Sequence, residues 1–391
     1  MEISKIVNDY LGEIINFRRD LHAHPELSMK EYRTSKKVAE ELKKLGLEVQ
    51  ENVGGTGVVG ILEGGKPGET LGLRADMDAL PIVEQTGLSF ESQHEGVMHA
   101  CGHDVHTSIL LGTAVILSKF RADIEGTIKF IFQPGEERMK GARSMIEAGV
   151  LKNPDVDAIV CLHCWPELEA GKVGLRKGAI MAASDYFDIT IQGQGGHAAY
   201  PHKCVDPMII AARIIDSLQT IVSRELPPYE SAVVTIGKIA GGSSYNIIAP
   251  EVTMGGTVRT TSKEIQQQMP EVIERIITNI ANAHRGTAEL TYHKGTPPLI
   301  NNIELVNTFE RSATVALGGK NVTYLPNPAM GGEDFSFYLQ HVPGMLFRLG
   351  TNNEDERSQY PLHHPSLIFD EKAISAGIKV MSRFALDYLK H

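Results

Sequence analysis

Apolar residues recur at helical spacing through Ile3, Ile6, Val7, Tyr10, Leu11, Ile14 and Ile15, and again through Val38, Leu42 and Leu45. Short apolar runs at 57–62 and 71–73 predict strands, and a helix is predicted over 104–117. A strand at 127–132, a helix over 142–148 and a strand at 158–162 follow. Alternation of this kind predicts an α/β fold: a three-layer domain around a central, mostly parallel sheet.

The pattern changes near Ser184. Phe187, Ile189 and Ile191 alternate with Asp188, Thr190 and Gln192, as in a sheet with one solvated face. Asp206 is placed as an N-cap with Pro207 at the first helical position. Strands are predicted near 232–239 and 252–260. A second helix carries Ile265, Met269, Ile273, Ile276 and Ile280, with Pro270 marking its first turn or a kink. A strand with Ala288, Leu290 and Tyr292 completes the order βαββαβ, a ferredoxin-like domain. The expected organisation is a catalytic domain over residues 1–183 and 295–391, interrupted by an inserted domain over 184–294. Gly295-Thr-Pro-Pro298 is the expected return linker. A strand at 345–349 and a helix over 371–389 then complete the first domain.

Composition narrows the function. The 391-residue chain is 42% hydrophobic and 22% charged, as in a globular protein, and its net charge is −10. It has no Lys/Arg run that would bind nucleic acid and no apolar stretch of membrane-spanning length. Four cysteines do not make a disulfide framework, so a cytoplasmic location is expected. Cys161-Leu-His-Cys164 lacks a second CxxC and lies in an apolar strand, so both thiols are expected to be buried.

The richest chemistry lies in His99-Ala-Cys-Gly-His-Asp-Val-His106. One thiol and three imidazoles suit a divalent metal such as zinc. Cys101 and His103 can point at one site if the backbone turns sharply, which Gly102 permits. His106 is the weaker donor, with packing or a substrate contact as its other roles. Glu136-Glu137 follow a strand, so that one carboxylate can hold metal while the other moves protons. His163 and the His363-His364 pair also stand near expected strand ends, as do the acids of Leu73-Arg-Ala-Asp-Met-Asp78.

Five motifs run in order along the chain: Arg74-Ala-Asp-Met-Asp-Ala-Leu-Pro81, Met98-His-Ala-Cys-Gly-His-Asp-Val-His106, Phe132-Gln-Pro-Gly-Glu-Glu137, Gly195-Gly-His-Ala-Ala-Tyr-Pro201 and Gly332-Glu-Asp-Phe335. Together they resemble the aminoacylase/carboxypeptidase metallopeptidase family. The similarity is to its branch of hippurate hydrolases, indole-acetyl-amino-acid hydrolases and bacterial N-acyl-L-amino-acid amidohydrolases. The resemblance implies two divalent ions (zinc, manganese, cobalt or nickel) held by Cys101, His103, Glu137, His163 and His363, with Glu136 as general acid/base. Peptidase relatives often carry His where Asp76 stands. Cys101 then supplies the missing ligand, and Asp78 orients a ligand rather than binding metal.

The expected reaction is metal-assisted hydrolysis of N-acyl-L-amino acids. His197, brought close by Gly195 and Gly196, is the candidate partner for the developing oxyanion. The resemblance implies that it acts across a homodimer or higher homo-oligomer formed through the inserted domain. Asn246 and Arg259 are candidates for the substrate carboxylate. The segment 344–350 either lines the acyl pocket or is a core strand. A metallocarboxypeptidase or dipeptidase acting on short peptides is the alternative within enzymes. A non-catalytic metal- or ligand-binding protein is the alternative outside them, and it has no use for Glu136.

Overall fold

Helix α1 (Glu2–Ala23) and the amphipathic α2 (Tyr32–Lys44) open the computed structural model, which describes residues 2–390. Strands β1 (Glu48–Val53), β2 (Gly57–Glu63) and β3 (Lys66–Asp76) follow. Next come α3 (His103–Ser118), β4 (Glu125–Gln133), α4 (Gly141–Glu147), β5 (Ala158–Glu169) and β6 (Val173–Leu175). After the second unit, α7 (Ile303–Leu317), β11 (Val322–Tyr324), β12 (Gly344–Asn352) and α8 (Lys372–Tyr388) complete the first.

These strands form one eight-stranded sheet in the order β1-β2-β4-β3-β5-β12-β6-β11. The β4-β3-β5-β12 centre is parallel. Helix α3 packs between α1 and α8 and is buried along nearly its whole length, which explains why apolar residues surround it rather than forming a stripe. Strand β12 is almost wholly buried, so the segment 344–350 is core strand.

The second unit covers Ala179–Leu299 and Pro328–Glu333. It contains β7 (Ala183–Gln192), α5 (Pro207–Thr220), β8 (Ala232–Gly241), β9 (Glu251–Thr260), α6 (Lys263–Ala283) and β10 (Thr287–Thr296). The sheet order β8-β9-β7-β10, antiparallel throughout, is the ferredoxin-like arrangement. Phe187, Ile189 and Ile191 point at the helices, as their alternation predicts. Asp206 caps α5, its carboxylate accepting from Met208 N at 2.9 Å, with Pro207 at the first position.

Three local expectations need correction. Pro270 lies inside α6, whose first turn starts after Ser262, where the hydroxyl accepts from Ile265 N. Gly295 and Thr296 belong to β10 rather than to a linker. The register slips between His293 and Thr296, and the buried Asp185 carboxylate captures Gly295 N at 2.9 Å. A side chain at Gly295 would lie 1.9 Å from Ser184 O. Strand β5 continues past Leu162 to Glu169, so His163 lies within it. Among the described residues no helix is long and apolar enough to cross a membrane.

Ile214 and Ile209 share α5, the first fully buried against the sheet and the second half exposed. Ile214→Ala is expected to destabilise the second unit by about 2–5 kcal/mol, and Ile209→Ala to stay within about 0.5 kcal/mol. Denaturant unfolding of the two variants checks this, and equal losses would contradict the packing described.

Candidate metal centre

The carboxyl ends of β3 and β4 are level, with Asp76 opposite Gln133. Arg74 lies opposite Cys161 on β5, so His163, two residues on, reaches the same level although its strand runs further. In open α/β sheets this edge is where sites form. Helix α3 starts there. Gly102 precedes it at φ +83°, and a side chain there would meet Cys164 and Phe369 at 3.0–3.1 Å. That turn delivers Cys101 and His103 to one place. His363 arrives on a loop at φ +70°, tied to the same run by its N–H donating to Ala100 O at 3.0 Å.

Donor atoms of Cys101, His103 and His163 lie within 4.8 Å of one another, as do those of Cys101, Glu137 and His363 and those of His103, Glu136 and Glu137. Cys101, His103 and Glu137 each belong to two of these groups, so the donor sets overlap, and Cys101 links the His163 side to the His363 side. Cys101 Sγ is 3.5 Å from His163 Nε2, and His363 Nε2 is 3.4 Å from Glu137 Oε1. Two donors each about 2.0–2.3 Å from one ion at the tetrahedral angle stand about 3.4–3.6 Å apart, so both spacings suit a shared ion.

The imidazoles are set for the purpose. His103 Nδ1 donates to Asp78 Oδ1 at 3.2 Å and His163 Nδ1 to Cys164 O at 2.8 Å, so the Nε2 atom of each ring faces the site. Burial, with the charges of His106 and Arg348, holds His163 well below its ordinary pKa and therefore neutral. His103 Nε2 and Glu137 Oε1 are buried with no hydrogen-bond partner. Buried polar atoms without partners beside a thiol are what a metal ion would satisfy once His103 gives up its Nε2 proton.

Asp78 is in none of these donor groups, and both its oxygens are occupied by donors of the protein. Its two oxygens accept from Ser28 Oγ (2.5 Å), Glu136 N (3.1 Å), Glu137 N (3.0 Å) and His103. Burial alone would raise its pKa, but His103 and Ser28 bring it below the usual carboxylate value. Asp76 is committed elsewhere, to His106 Nδ1 (2.6 Å) and Arg74 Nη1 (2.7 Å). His106 is in turn fixed by Cys164 N donating to its Nε2 at 2.8 Å, so it is a packed, neutral bridge with no nitrogen left for metal.

Two buried contributors stand inside motifs read from the sequence, yet nothing in those motifs reveals their partners. Asp334, in the Gly-Glu-Asp-Phe motif, accepts from Arg74, Gln133 and Ala142 N, at a separation of 260 residues from Arg74. Asp104, beside His103, is buried against Arg18 (2.6 Å) and His22 (2.9 Å), which overcome burial and hold it far below its ordinary pKa. All four cysteines are buried, and none forms a disulfide.

The remaining candidates lie on the second unit. His197 pairs with Ile247 in a two-residue ladder, and Ala198 N donates to Asn246 O at 3.0 Å, so His197 and Asn246 are exposed neighbours. Arg259 is not with them. Register places Gln192 opposite Glu251 and Ser184 opposite Arg259, eight residues along β7, or about 26 Å at about 3.3 Å per residue.

Residues 72–387 match the model of peptidase family M20/M25/M40. The chain is 40% identical to the N-acetylcysteine deacetylase of Bacillus subtilis over 96% of its own length and 97% of that protein's. It is 40% identical to thermostable carboxypeptidase 2 of Saccharolobus solfataricus, covering 96% and 95% of the two chains. The crystal structure of Bacillus subtilis YXEP, described as a dinuclear metal-binding peptidase of the M20 family, superposes with a TM-score of 0.87 at 37% identity, covering 98% of this chain and 99% of that one.

Without metal, Cys101 stays a thiol, because burial and the charges of Glu137 and Glu136 push its pKa well up. His103 is lowered by burial, but Asp76, Asp78 and Glu137 outweigh this and raise it to about 10. Both therefore carry protons at neutral pH that metal must displace. Metal affinity is expected to rise with pH between about 6 and 9, by up to about tenfold per unit for each proton released. Chelator competition across that range measures it, and a flat profile after correction for the chelator would refute the donor set.

Proposed function

The chain belongs to peptidase family M20/M25/M40 and is a metal-dependent hydrolase, and from that premise we propose that it cleaves N-acyl-L-amino acids with Glu136 as general acid/base. The observation that carries this reading is the placement of Glu136. Its side chain is buried, its carboxylate lies within 4.8 Å of donor atoms on His103 and Glu137, and its backbone is pinned by Asp78. A protein that only stores metal has no need of a second carboxylate held there.

Cys101, His103, Glu137, His163 and His363 would hold two divalent ions, which when bound supply Lewis-acid polarisation of the amide carbonyl and acidify water. Glu136 takes the proton of the attacking water at its carboxylate. It returns that proton to the amide nitrogen as the carbon–nitrogen bond breaks, releasing a carboxylic acid and an amino acid. His197 donates a hydrogen bond to the carbonyl oxygen as charge develops on it. Arg259 receives the substrate's carboxylate. Its Nη1 is engaged by Asp185 O and Val258 O, while Nε and Nη2 have no hydrogen-bond partner among the described residues.

Arg259 stands at the Ser184 end of the four-stranded sheet, whereas His197 lies in a separate two-stranded ladder beyond its Gln192 end, a separation longer than an N-acyl amino acid. A second copy of the chain therefore supplies His197, with Asn246 beside it. The carboxypeptidase relative supports a second reading on short peptides. Such a substrate also ends in an amino acid with a free carboxylate, so Arg259 and Glu136 keep their roles and only the acyl side differs.

Glu136→Gln is expected to lower kcat by about 10²–10⁴ while metal content stays unchanged. Turnover of acetyl-, benzoyl- and indole-acetyl-amino acids beside dipeptides tests the substrate class, and activity on dipeptides alone would replace the first reading with the second. Mixing inactive Glu136→Gln with inactive His197→Ala is expected to restore about a quarter of parental activity, because half the dimers are mixed and each mixed dimer has one intact site. No recovery after subunit exchange would place His197 in its own subunit's chemistry or outside it.

A further inference from the structure

The guanidinium of Arg259 is held in place by residues that the proposed reaction does not itself use. Thr257 opposes Tyr186 and Arg259 opposes Ser184 across β9 and β7, so Arg259 and Tyr186 are diagonal neighbours on one face of the sheet. That face is opposite the one on which Phe187 and Val258 meet the helices. Arg259 Cζ lies 5.4 Å from the centroid of the Tyr186 ring. Its Nη1 donates to Asp185 O at 3.3 Å and to Val258 O at 3.1 Å.

These contacts leave open the Nε–Nη2 edge, the side of a guanidinium that presents two parallel donors to a carboxylate. The protein uses the same edge elsewhere. Arg19 turns Nε and Nη2 to the two oxygens of Glu371 at 2.9 and 2.6 Å, and Arg357 turns the same pair to Asp355. The Asp185 carbonyl is itself held fast. The buried Asp185 side chain accepts from Gln266 Nε2, Tyr292 OH and Gly295 N, each at 2.9 Å. The Gly295 bond falls within the register slip of β10.

We propose that Tyr186 is a positioning residue for carboxylate recognition, with Asp185 as its anchor. Ring and carbonyl together restrain Arg259 so that its two-donor edge faces outward before substrate arrives. A free arginine has many rotamers to lose on binding, and restraint removes that cost in advance. The inference rests on the reading of Arg259 as the carboxylate receptor and extends it to the residues that aim it. The ring face is the working part of Tyr186, whose side chain is 51% exposed, so phenylalanine should serve as well.

Tyr186→Leu, Tyr186→Phe and Arg259→Ala are compared on an N-acyl amino acid that the enzyme turns over and on its carboxamide. Tyr186→Leu is expected to raise KM for the acid by about three- to tenfold, with kcat within about twofold and the carboxamide unaffected. Tyr186→Phe is expected to match the parent. Equal KM changes for acid and carboxamide, or none for either, would overturn the positioning role. An unchanged KM for the acid in Arg259→Ala would instead overturn the carboxylate reading itself. A rise in Arg259→Ala without one in Tyr186→Leu removes only the inference about Tyr186.

Discussion

The buried carboxylate of Asp78 is the interaction on which the metal centre depends. Four donors from separate parts of the chain converge on its two oxygens: the Ser28 hydroxyl, the His103 ring and the backbone amides of Glu136 and Glu137. A buried anion is costly unless hydrogen-bonded, and these donors offset that cost while drawing three ends together. The ring tautomer of His103 follows from it, and so does the division between the two adjacent glutamates. Because both amides are pinned, the Glu136 and Glu137 side chains leave a fixed turn, and each can serve a different purpose.

A second chain of contacts stiffens this arrangement from below. Cys164 N holds His106, His106 holds Asp76, Asp76 holds Arg74, and Arg74 holds Asp334, all of them buried. None of these groups has to meet a substrate. Their effect is to keep Asp76, a strong negative charge, 3.8 Å from His103 Nε2, so that the site attracts cations through its surroundings as well as through its ligands.

What could be read from the sequence was what is written locally. The alternation around Phe187 shows which face of β7 is buried, and Asp206-Pro207 announces the start of α5. The metal-binding residue types stand in short motifs whose order is meaningful. Contacts made across sequence were hidden. Asp334 has no periodicity that points to Arg74, and nothing around Gly295 reveals that Asp185 will capture its amide. His163 looked like a strand end because the apolar run stops there, yet β5 goes on through Trp165 and Pro166, sustained by pairing with β12. Pro270 reads as a first turn or a kink because proline favours both, but α6 is already capped by Ser262 and its first turn lies upstream.

The protonated state of Cys101 and His103 has a consequence for how the protein is made. The Cys101 thiol is neutral, but the second proton on His103 gives the buried carboxylates of Asp76 and Asp78 a positive partner before any metal arrives. Folding is therefore not obliged to wait for metal. A newly synthesised subunit can complete its core first and be loaded afterwards with whichever ion the cell has to hand, in exchange for those protons.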